Sequence, residues 1–95
     1  MAIRSYAALV QKYTAQIAEA AVAPLMQERV REDVPHETLA GLAGVHRSTI
    51  SRTEAGLMNP TFLVLHAIPV ALGLRFSDVL ADAEARAPFP RRSRP

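Results

Sequence analysis

The sequence predicts an all-α protein, and three observations carry that prediction. Apolar residues recur at spacings of three and four, as in Ile3, Tyr6, Val10, Tyr13, Ile17 and Ala20, which puts them on one stripe of a helix. Proline and glycine punctuate the chain where helices would begin or end, at Pro24, Pro35, Gly44, Gly56, Pro60 and Gly73. No segment shows the two-residue alternation of a half-buried strand, and no segment repeats.

The elements follow in order. Residues 3–21 form an N-terminal helix whose apolar stripe is suited either to its own domain or to a dimer seam. Pro24 either kinks this helix or opens a second one in its first turn, where the missing N–H is harmless. Residues 24–32 offer Leu25, Met26 and Val30 to the core, and Asp33-Val34-Pro35 closes the segment, because the residue before a proline is driven out of helical geometry. A short helix follows with Leu39, Ala40 and Ala43 at helical spacing, ended by Gly44 in a left-handed turn. After Val45 and a capping His46, residues 47–55 make another short helix that stops at Gly56. Asn59 and Pro60 read as cap and first-turn proline of a helix reaching Leu72, with Pro69 bending it. Ser77 reads as the cap of a last helix, with Asp78 favourable at the positive end of its dipole. The organisation is therefore residues 1–23 as a helical arm, 24–86 as the main domain and 87–95 as a basic flexible tail.

Composition narrows the function. At 95 residues the chain has room for one modest core, and 49% hydrophobic content favours folding over disorder. The absence of cysteine removes disulfides, thiolate zinc sites and cysteine nucleophiles, and fits a reducing, cytoplasmic setting. No stretch approaches the roughly 20 apolar residues of a membrane span, so no membrane partner is expected. His36, His46 and His66 lack the spacing of a metal helix, and no nucleophile–histidine–carboxylate set is evident, so neither catalysis, a metal nor a cofactor is expected. Net charge is +2, yet Lys12 is the one lysine among 11 basic residues; the rest are arginine, the side chain suited to phosphates and guanine edges.

The informative stretch is GVHRSTISRTEAG, residues 44–56. Two short helices joined through a Gly-Val corner, small residues on the first and hydroxyls and arginines on the second, describe a helix-turn-helix. Ala40 and Gly44 permit close crossing, Val45 plugs the turn and Ile50 anchors the second helix. From about Leu25 to Leu80 the chain resembles the lambda-repressor and Cro-like (XRE-type) DNA-binding family. The resemblance rests on Leu39-Ala40, Ala43 to Val45, Ser48 to Ser51, Glu54 with Gly56, Asn59-Pro60 and Ala71 to Gly73.

The resemblance implies a five-helix lambda-repressor-like helix-turn-helix domain carrying an additional N-terminal helical arm, with double-stranded DNA as partner. Arg47, Ser48, Ser51 and Arg52 match base-reading positions, and their side chains have the appropriate donors and acceptors. His36, Thr38, His46, Thr49 and Asn59 match positions facing the DNA backbone. The family pattern also pairs Glu54 with Arg29 in a structural ion pair. Against that pattern, Pro35 and His46 replace small hydroxyl caps and predict weaker capping. Thr53 replaces an apolar residue and predicts a looser joint, and Leu57 and Met58 replace polar residues near phosphates.

The helix over residues 62–72 is apolar on every face, which predicts a partner covering part of it. Val10, Tyr13, Ile17, Leu63, Val64 and Val70 are candidates for a homodimer interface. Two readings follow: a dimeric transcriptional repressor on a two-fold operator, or an interaction module such as an antitoxin, whose arm or tail holds a protein partner such as a toxin.

Overall fold

Helix α1 (Ile3–Arg31) runs for 29 residues without a break, with Pro24 inside it. The separate segment expected over residues 24–32 is thus the end of one long helix, and the arm is its N-terminal extension. Pro24 removes only the N–H that would have bonded to the carbonyl of Ala20, while the turns on either side hold. In this computed structural model, which describes residues 2–92, four shorter helices follow: α2 (His36–Ala43), α3 (Arg47–Glu54), α4 (Phe62–Ala71) and α5 (Phe76–Ala85). The described residues contain no strand.

Leu25, Leu39, Ala40, Ile50, Ile68 and Leu72 form the buried centre, with Val34, Val45, Val64, Ala71, Leu74 and Val79 packed around it. Met26 and Val30, expected in this core, are 40% and 56% exposed. Helix geometry explains both: they lie about 100° and 140° around the axis from Leu25, which alone of the three points inward. Val64, a candidate for a dimer interface, is half-buried and packs against the core.

The N-terminal part of α1 is held by the other end of the chain. Helices α1 and α5 pack together, with Ala21 and Ala83 both fully buried. Beyond α5, the ring of Phe89 meets Tyr13 edge-on at 5.5 Å, and the Tyr6 hydroxyl donates to the Pro90 carbonyl at 3.4 Å. Residues 89 and 90 of the expected flexible tail therefore lie along the arm, because the two tyrosines of the arm's stripe offer them aromatic and polar partners. Arg91 and Arg92 are exposed, and residues 93–95 of that tail lie outside the described residues.

Helix ends are set by local geometry. Gly44 takes the left-handed conformation, φ 71°, which lets the Val45 N–H return to the Ala40 carbonyl at 3.0 Å and tightens the corner before α3. Asp33 does the same after α1 at φ 56°, sending the Val34 N–H to the Arg29 carbonyl at 3.0 Å. Two expected caps move. Helix α4 begins after Thr61, whose Oγ1 accepts from the Val64 N–H at 3.4 Å, so Asn59 and Pro60 belong to the preceding loop. Helix α5 begins after Arg75, which leaves Ser77 within the first turn. Pro69 lies buried inside α4, and its carbonyl closes the helix by accepting from Leu74 at 2.8 Å.

Thr53 is 3% exposed, and its hydroxyl is buried without a hydrogen-bond partner. The joint at α3 is thus tightly packed but electrostatically poor, since a buried orphan hydroxyl costs about 1–3 kcal/mol. Thr53→Val keeps the shape and removes the hydroxyl. It is expected to stabilise the protein by about 1 kcal/mol, read as a higher urea midpoint at unchanged slope; an equal or lower midpoint would contradict the assignment.

Candidate nucleic-acid interface

Helix α3 is positioned by a few contacts on its inner face. Ile50 is fully buried and Thr53 nearly so, one turn apart, so the opposite face turns outward. That outer face carries Arg47, Ser48 and Arg52, all exposed, with Ser51 and Thr49 half-exposed beside them. Among the described residues neither Arg47 nor Arg52 has a carboxylate partner.

The one carboxylate of α3 is occupied inside the protein. Arg29 Nε and Nη2 donate to the two oxygens of Glu54 at 2.6 and 2.8 Å, a fork-on-fork pairing, and Arg29 Nη1 donates to the Val34 carbonyl at 3.0 Å. The side chains of the pair are only 14% and 10% exposed. His36 adds a third contact through Nε2, 2.9 Å from Glu54 Oε1. The end of α1, the start of α2 and the end of α3 are thereby joined at a single carboxylate. Burial pushes the Glu54 carboxyl up, but the hydrogen bonds from Arg29 and His36, with the guanidinium charge, outweigh it and hold it below the ordinary glutamate value. Hydrogen bonding to Glu54 raises Arg29 in turn.

The start of α3 is organised by His46. Its Nδ1 accepts from the backbone N–H of Ser48 at 3.1 Å and lies 2.8 Å from Ser48 Oγ. The imidazole therefore performs the capping that a serine or threonine would, so capping here is kept rather than weakened. Helix α2 has no such side-chain cap, as Pro35 predicts. One turn further into α3, Ser51 Oγ donates to the Ser48 carbonyl at 3.2 Å.

The remaining sequence-selected residues are dispersed around this face. Thr38 is exposed in the first turn of α2, and Asn59 is exposed in the loop after α3. That loop, with Thr53 to Gly56, Met58 and Pro60, faces α1 residues between Ala15 and Gln27 across an open groove of about 570 Å³. His36, selected for a DNA-backbone position, has its ring turned onto Glu54. His66 stacks with Phe62 at 5.6 Å and meets Phe76 edge-on at 5.2 Å. Of the dimer candidates, Leu63 and Val70 are 78% and 55% exposed and Val10 is 38% exposed, whereas Tyr13 and Ile17 are half-buried. Among the described residues no three or more of His, Cys, Asp and Glu are grouped to hold a metal ion, and no single helix is long and apolar enough to cross a membrane.

A family model described as Helix-turn-helix matches residues 25–79, from Leu25 of α1 into α5. The chain belongs to this family, the lambda-repressor-like, XRE-type DNA-binding regulators. Comparison with curated proteins and with solved structures gives no match.

The Arg29–Glu54–His36 junction makes stability depend on pH in one direction. A carboxyl held below its ordinary value in the folded state stabilises that state above the unfolded value, and the contribution drains away as pH falls through the folded value. Glu54→Gln is expected to cost about 2–4 kcal/mol near neutrality, because it leaves Arg29 unpaired in a largely buried site. Below about pH 4.3, the ordinary glutamate value, wild type should lose stability faster than Glu54→Gln. Urea unfolding at several pH values checks this, and parallel losses in the two proteins would contradict it.

Proposed function

We propose that the protein is a transcriptional repressor that binds a two-fold operator as a homodimer, each subunit placing α3 in the major groove. The observation that supports this reading most directly is the charge state of α3. Its one carboxylate is consumed by Arg29 and His36, while Arg47 and Arg52 stand exposed without acidic partners among the described residues. An arginine so placed can bond guanine O6 and N7 together, and the serines beside it can meet other base edges. In this reading Arg47, Ser48, Ser51 and Arg52 face bases. Thr38, Thr49, Asn59 and the N-terminus of α2 at His36 face phosphates, since exposed backbone N–H groups at a helix start suit an anion. His46 borders the same surface.

The homodimer is supported by α4, where Phe62, Leu63 and Val70 are 67%, 78% and 55% exposed, with Leu57 nearby in sequence at 70%. A two-fold pair through this surface would set two recognition helices about 34 Å apart, one turn of DNA. A second reading, an antitoxin or other interaction module, is favoured by the exposed apolar residues Ile3, Leu9 and Val10 on the arm. Co-purification of a protein partner together with no sequence preference on DNA would favour it; an antitoxin that also binds its own promoter satisfies both readings.

Selection from random duplexes followed by binding measurements separates the readings. Arg47→Ala and Arg52→Ala are each expected to lower affinity for the selected duplex by about 1–3 kcal/mol and to relax preference at one or two base steps. Unchanged discrimination in both variants would refute their assignment as readers. For the assembly, sedimentation equilibrium should find a dimer at micromolar concentration and a monomer for Leu63→Glu, since a charge cannot be buried unpaired in an apolar seam. A wild-type monomer at high micromolar concentration would rule the homodimer out.

A further inference from the structure

The hydrogen bonds at the start of α3 determine which way a hydroxyl proton points. His46 Nδ1 is 3.1 Å from the backbone nitrogen of Ser48, which can only donate. Nδ1 must therefore be the acceptor, and the neutral imidazole carries its proton on Nε2. The same Nδ1 lies 2.8 Å from Ser48 Oγ. With no hydrogen on Nδ1, that contact exists only if the Ser48 hydroxyl donates into it. Ser48 has one hydroxyl hydrogen, and it is spent on His46, which leaves the outward lone pairs of Oγ as acceptors. Ser51 is committed in the same sense, because its hydroxyl donates to the Ser48 carbonyl at 3.2 Å. Arginine has donors only, so the exposed face of α3 divides its labour: Arg47 and Arg52 donate, and the two serines accept.

The geometry points to His46 as the positioning residue that fixes what Ser48 reads. A serine free to rotate its hydroxyl can donate or accept and discriminates poorly among base edges. A serine held as an acceptor selects an amino group over a carbonyl, which on the contacted strand means adenine N6 or cytosine N4 rather than thymine O4 or guanine O6. This inference rests on the reading that α3 enters the major groove. It adds a base class, A or C, at the step facing Ser48, and it assigns the origin of that preference to a side chain outside the helix proper.

The experiment is selection of random duplexes against four full-length proteins: wild type, Ser48→Ala, His46→Ala and His46→Asn, each verified as helical by circular dichroism. Asparagine is a good helix cap whose carbonyl oxygen can accept from Ser48 as Nδ1 does. Wild type should enrich A or C over G or T about 3- to 10-fold at one step per half-site, the range expected of one hydrogen bond. Ser48→Ala should abolish that preference alone, His46→Ala should relax it to within about twofold, and His46→Asn should restore it. A merely structural cap would change affinity in His46→Ala and leave the base preference intact, which overturns the inference. Enrichment of G or T at the Ser48 step, or a Ser48→Ala selection identical to wild type, overturns it as well. If wild type enriches no sequence, the DNA-reading assignment fails first and the inference falls with it, so the two failures are told apart. Should His46→Ala not fold, long-range proton–nitrogen NMR of wild-type imidazoles at pH 8 decides independently: an Nε2–H tautomer at His46 is expected, and an Nδ1–H tautomer overturns the inference.

Discussion

The carboxylate of Glu54 is the point on which the arrangement of the helices depends. A helix of eight residues is too short to persist alone, and the buried residues of α3 are only two, Ile50 and Thr53. The corner at Gly44 and Val45 holds its start, and the paired bonds from Arg29 hold its end. Because Arg29 also reaches the Val34 carbonyl and His36 meets the same carboxylate, three chain segments converge there. Directional polar bonds fix orientation there, whereas an apolar contact would hold α3 while tolerating rotation about its axis.

That convergence also settles the electrostatics of the outward face. A glutamate left free at the end of α3 would be within a few turns of Arg47 and Arg52 and would compete for them. Held by Arg29, it is neutralised inside the molecule, and Arg47 and Arg52 remain exposed. The same pair thus joins the helices and keeps the α3 carboxylate away from the exposed guanidinium groups.

Much of this was legible in the sequence, for identifiable reasons. Glycines at 44, 56 and 73 marked helix ends because a left-handed residue is cheapest without a side chain, and all three have positive φ. Leu39 and Ala40 followed from helical spacing, Ile50 from the helix-turn-helix pattern as the anchor of its second helix, and the Arg29–Glu54 pair from the family pattern. What misled was local ambiguity. Pro24 is compatible with a helix start or a helix interior, and only packing of α1 against α5 decides between them. Asn59, Thr61 and Ser77 are all competent caps, so composition alone does not choose the residue at which a helix begins. His46 was legible as a cap from its place before α3, although weaker capping was expected of it, whereas the turn of His36 onto Glu54 was hidden for a different reason: it depends on a side-chain rotation that no spacing rule encodes.

The uninterrupted passage of α1 through Pro24 has a mechanical consequence. A helix of 29 residues is about 43 Å long at 1.5 Å per residue, and its last turn is bolted to the end of α3 through Arg29. Its tip at Ile3 and the turn that carries Arg29 therefore belong to one continuous helix, so the place of the tip relative to α3 follows from that helix and its packing against α5.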